Sequence, residues 1–112
     1  MMFGGDKRRS ERVYTHLVVQ MTNAANRHFY GYIENICMNG IGIVSMDVIE
    51  PQTKLTCSFF LSDDERINPA GTVIYIRKSV DTVYRYGIRF ADISMAERCL
   101  IEEYIGRGRA VG

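Results

Sequence analysis

Three arginines, Arg8, Arg9 and Arg12, fall within the seven residues 7–13, "KRRSERV", immediately ahead of the first apolar run. A guanidinium is a planar fork of donors that stays charged at any physiological pH, so a local cluster can hold a small anion. The chain as a whole cannot: Lys+Arg 14 against Asp+Glu 13 leaves a formal net charge of +1. Bulk attraction to nucleic acid or to an anionic membrane is therefore not expected. A second stretch, "NICMNG" at 35–40, sets an amide, a thiol and a glycine close together. Asn35 offers both donors and an acceptor. Gly40 allows either a close approach of backbone or a turn with positive φ.

Other candidate chemistry is thin. His16 and His28 have no cysteine or carboxylate at the spacing a metal requires. "SDDE" at 62–65 lacks the glycine and terminal glutamate of a calcium loop, and reads as a solvated turn. "GIG" at 40–42 is not set in a strand–turn–helix unit and is no dinucleotide fingerprint. Nothing in the sequence marks Cys37 as a nucleophile. The expectation is a protein that is not an enzyme and holds no metal or cofactor.

The elements that must position these residues are short and mostly extended. Val13, Leu17, Val19 and Met21 alternate with polar residues through 13–21, which is strand periodicity. Further strands are expected at 28–36, 41–46 and 55–61, the last with Leu55, Cys57, Phe59 and Leu61 aligned on one face. The stretch 62–70 reads as a polar loop, and 71–79 with 82–90 as a hairpin around Val80-Asp81. Many short strands with frequent turn signals suggest an all-β barrel or sandwich. One helix is expected over 94–106, opened by a capping box of Ser94 and Glu97 and closed by Gly106. Its apolar face would carry Ala96, Leu100 and Tyr104, with Cys99 and Ile105 adjoining.

At 112 residues and 46% hydrophobic content the chain reads as a single globular domain. Residues 1–12 would form a flexible arm, 13–92 the barrel and 94–106 the helix. The N-terminal residues have no apolar stretch ahead of a small-residue cleavage site, and no apolar run is long enough to span a membrane. The odd count of cysteines (Cys37, Cys57, Cys99), with no C-x-x-C, suits reduced thiols. Cytoplasmic placement without membrane insertion is the expectation.

In two motifs the chain resembles the PilZ domain family, bacterial receptors for cyclic di-GMP. The family carries R-x-x-x-R ahead of its first strand, matched here by Arg8 to Arg12. It then carries [D/N]-x-S-x-x-G, matched by Asn35 to Gly40 except that Cys37 stands where the family has serine. "YRYGIRFADIS" at 84–94 is similar to the family's last strand, and a helix follows, so the likeness covers residues 7–105.

The resemblance implies a six-stranded antiparallel β-barrel with a C-terminal helix, and a ligand site of Arg8, Arg9, Arg12, Asn35, Cys37 and Gly40. Arginine suits this ligand: it bonds phosphate bidentately, pairs with guanine O6 and N7, and stacks on a purine. The arm would close over the nucleotide and change the surface shown to a protein partner, in motility, exopolysaccharide export or virulence. The alternative is a PilZ-like interaction module that no longer binds cyclic di-GMP, with Cys37 as a step that way. A third class, a barrel stacking single-stranded nucleic acid on Tyr30, Tyr32, Tyr75, Tyr84 or Tyr86, is disfavoured by the near-neutral charge.

Overall fold

The structure is a computed structural model that describes residues 12–79 and 82–111, with side chains of the terminal helix as far as Gly108. Residues 1–11, with Arg8 and Arg9, and the pair expected at the hairpin tip, Val80-Asp81, lie outside the described residues. The strands are β1 (Val13–Thr22), β2 (His28–Cys37), β3 (Gly40–Ser45), β4 (Lys54–Phe60), β5 (Arg66–Ile67), β6 (Ala70–Lys78) and β7 (Tyr84–Ala91). One helix, α1 (Met95–Val111), follows.

All pairings are antiparallel, in the order β1-β2-β3-β7-β6-β4, and β4 pairs back onto β1. The result is a closed six-stranded barrel, as expected. Closure leaves none of the six with a free edge along its whole length, which removes a template for unwanted strand pairing. The stretch expected as a polar loop contains β5, paired to the end of β4 through Phe59 and Ile67. Ile67 is the cause: it is buried among the core residues and carries its neighbour into the ladder.

The alternation read from the sequence sets the core. Val19 and Met21 of β1, and Leu55, Cys57 and Phe59 of β4 with Leu61 just after it, all point inward. Ile33, Ile36, Ile43, Val73, Tyr86 and Ile88 complete the interior. Burying each such side chain contributes about 1.5–3 kcal/mol. Tyr86 satisfies its polar end too: its hydroxyl donates to the Asp47 carbonyl at 2.5 Å and accepts from the Ile49 N–H at 3.0 Å. That ties the segment after β3 to the barrel.

α1 begins as expected. The Ser94 Oγ accepts from the Glu97 N–H at 3.1 Å, and the Glu97 carboxylate accepts from the Ser94 N–H at 3.4 Å. It does not end at Gly106, which sits inside the helix without a positive φ. Its buried face also differs from expectation. Ile101 and Ile105 enter the core, Leu100 and Tyr104 are half-buried, and Ala96 and Cys99 are exposed. Two isoleucines offer more apolar area than alanine and cysteine, so the helix rolls to bury them. The Tyr104 hydroxyl lies 2.6 Å from the Thr15 hydroxyl, and Gly108 comes close against Val13, so the helix meets the beginning of β1.

Candidate functional site

Directly paired residues of an antiparallel ladder share one face of the sheet. Read across the barrel wall, Tyr14 pairs with Asn35, Asn35 with Gly42, Gly42 with Gly87, and Gly87 with Tyr75. This single outward row crosses β1, β2, β3, β7 and β6. Two of its members reach the outside only because the strands break period. β2 carries an irregularity between Ile33 and Asn35, and β6 one between Val73 and Tyr75. An extra residue on one strand reverses the alternation beyond it. Hence Ile36 rather than Asn35 turns into the core, and Ile76 rather than Tyr75 turns inward.

The glycines between them make the floor. A Cβ on Gly42 would lie 2.7 Å from the Asn35 Nδ2, and one on Gly87 would lie 2.1 Å from the Tyr75 ring. The amide and the phenol ring therefore lie down over bare backbone. The guanidinium carbon of Arg77 stands 5.6 Å from the centre of the Tyr75 ring, within reach of a cation–π contact.

Above this floor runs a groove of about 500 Å³, the size of pocket that small ligands occupy. Four residues expected from the sequence meet there: Arg12, Asn35, Cys37 and Gly40. Arg89 of β7 and Arg98 of α1 join them. No aspartate or glutamate lines the groove among the described residues, so its charged groups are all cationic. Cys37 is half-buried at the end of β2, paired to Gly40 across the turn of Met38 and Asn39. Gly40 has no positive φ; its role is close approach, since a Cβ there would sit 2.0 Å from the Ile88 carbonyl oxygen.

The motifs alone did not point to Gly42, Tyr75, Arg89 or Arg98. Arg89 carries a signal in hindsight, because Arg85, Gly87 and Arg89 alternate with the buried Tyr86 and Ile88. Tyr75 carries none, because its outward aim depends on a bulge that the sequence does not announce. Of the tyrosines considered as base-stacking surfaces, Tyr86 is buried, while Tyr30, Tyr32 and Tyr75 are exposed. Among the described residues no group of His, Cys, Asp and Glu could hold a metal, and no helix is long and apolar enough to cross a membrane.

The arrangement is a closed six-stranded barrel with a cationic groove on its outer wall and a helix packed against the start of β1. The sequence matches the family model described as PilZ domain over residues 6–107, and the chain belongs to that family. Among solved structures it is similar to the PilZ domain of YcgR from Escherichia coli, solved with cyclic di-GMP, at 15% identity and TM-score 0.77, covering 94% of this chain and 93% of that one. It is also similar to the Bacillus subtilis inhibitor of motility MotI/DgrA, at 18% identity and TM-score 0.80, covering 94% of this chain and 52% of that one. MrkH of K. pneumonia in its apo state is similar at 12% identity and TM-score 0.77, covering 93% and 51%. This chain thus spans about half the length of the latter two. No curated protein sequence is similar enough to count as a relative.

Proposed function

We propose that this chain is a non-enzymatic cyclic di-GMP receptor domain. The observation that carries the proposal is the meeting of Arg12, Arg89 and Arg98 around a floor on which Asn35 covers Gly42 and Tyr75 covers Gly87. Cyclic di-GMP presents two phosphates and two guanines. The guanidinium groups answer the phosphates by charge-assisted hydrogen bonds. A guanine would stack on the Tyr75 ring, which covers Gly87, and meet at its edge the Asn35 amide, which covers Gly42. Membership of the PilZ family and the likeness to a YcgR domain solved with this ligand support the reading.

In this account Arg8 and Arg9 join Arg12 in closing on the nucleotide. The closed state then offers a different surface to a protein partner, because the ligand binds that state better than the open one. A cytoplasmic location fits a receptor for an intracellular messenger. The second reading, a PilZ-like interaction module without nucleotide binding, draws on one observation: Cys37 lines the groove where the family motif has serine. A thiol is the poorer hydrogen-bonding group, and one lost neutral hydrogen bond costs about 0.5–1.5 kcal/mol, roughly 2- to 13-fold in affinity. Such a loss weakens binding without abolishing it. Isothermal titration calorimetry of the folded protein with cyclic di-GMP separates the two: saturable binding supports the receptor, and absence of heat at several temperatures supports the module.

A further inference from the structure

We propose that the outer face of β1, β2 and β3 is a docking surface for a protein segment carrying bulky apolar side chains flanked by carboxylates. One step along the ladder from the row that floors the groove, Val18 pairs with Tyr32, Tyr32 with Val44, Val44 with Arg85, and Arg85 with Arg77. This second outward row is apolar on three strands and basic on the next two. Val18 is 65% exposed and Tyr32 45%, and Tyr30 and Met46 beside them are 56% and 71% exposed. Between them lies a cleft of about 330 Å³, room for large apolar side chains. Contiguous exposed apolar surface of this kind on a soluble fold marks a contact site.

Charge selects the occupant. Arg77 and Arg85, which continue the row, stand exposed on the β6–β7 side of the cleft. The carboxylates near it are already engaged, Glu34 with Arg85 and Asp47 with the Tyr30 N–H at 2.9 Å. A segment that buries apolar groups in the cleft and sets Asp or Glu against Arg77 complements both halves of the row. A nucleic acid fits less well. Tyr30 and Tyr32 offer ring faces to a base, but no basic side chain lines the cleft itself, and Arg77 and Arg85 stand on one side of it only. The surface borders the nucleotide groove, with Tyr14 and the Glu34–Arg85 pair between them. A partner seated here would be a direct neighbour of whatever the groove holds.

The test pans a random dodecapeptide library displayed on phage against the intact chain without nucleotide, so its outcome is independent of the receptor reading. Enriched peptides are then measured by fluorescence anisotropy on the parent chain and on Val18→Glu, Met46→Glu and Arg77→Glu. Those positions are exposed, and circular dichroism checks that each variant stays folded. The expected result is enrichment of Asp and Glu beside Phe, Leu, Ile or Met, with affinity at least about tenfold weaker on each variant. The proposal is overturned by failure to enrich any peptide, or by peptides that bind all variants as well as the parent. It is equally overturned if Val18→Glu abolishes binding of an oligo-dT probe, or abolishes self-association in sedimentation. Those outcomes assign the face to nucleic acid or to a second copy of the chain.

Discussion

At the scale of single residues, the groove sets guanidinium groups beside glycines that make room. Arg12 is proposed to bind by charge. Replacing it with alanine is expected to cost at least about 1.5 kcal/mol of cyclic di-GMP affinity, the low end for a charge-assisted hydrogen bond, read by calorimetry. The same change should leave the melting temperature nearly untouched, because the side chain is exposed. Cys37→Ser should hold or tighten affinity, by up to about tenfold, since a hydroxyl bonds better than a thiol. Loss of binding in that variant, with the fold intact, would mean that the sulfur rather than a polar contact shapes the loop. Arg12, Asn35, Cys37 and Gly40 were legible in the sequence because their spacing is a motif, and spacing survives without structure. Arg89 and Arg98 were not, because they belong to a strand and a helix that only the closed barrel brings to the same groove.

At the scale of elements, the bulges do the placing. The irregularity between Val73 and Tyr75 turns a ring outward that simple alternation would bury, and Gly87 gives it somewhere to lie. Gly87→Ala would drive a methyl into that ring, so the ring must lift. The expected result is a clear loss of nucleotide affinity with destabilisation of about 1–3 kcal/mol in urea unfolding. Tyr75→Ala should lose affinity with a smaller stability cost, which distinguishes a lost platform from a strained strand. Strand existence was readable because Val19, Met21, Leu55, Cys57 and Phe59 keep strict period. The places where period fails, Glu34 and Ile74, were not, since a bulge is one extra residue in a ladder and only the partner strand reveals it. The helix shows a related limit. Its start was set by a local capping box, but its buried face was decided by what the barrel end could accept, and Ile101 won over Ala96.

At the scale of the whole molecule, the sealed interior makes a prediction about alkali. Burial pushes the Cys57 thiol up from its ordinary 9.0 to about 12, and burial likewise raises the Tyr86 hydroxyl. The unfolded chain therefore releases the Cys57 proton first. Its contribution to stability is full below pH 9.0 and is lost progressively as pH rises toward about 12. Urea midpoints should fall across that window, and Cys57→Ala, though less stable at neutral pH, should show a shallower fall. The closed ring that seals this interior also holds β2, β3, β7 and β6 side by side, so a ligand lying across their outer face would touch all four at once. The most direct test is a two-dimensional amide NMR titration with cyclic di-GMP. The account predicts that the largest shifts fall on Arg12, Asn35, Gly42, Tyr75 and Gly87. A spectrum that stays unchanged at saturating nucleotide, or whose shifts gather on another part of the barrel, would contradict it.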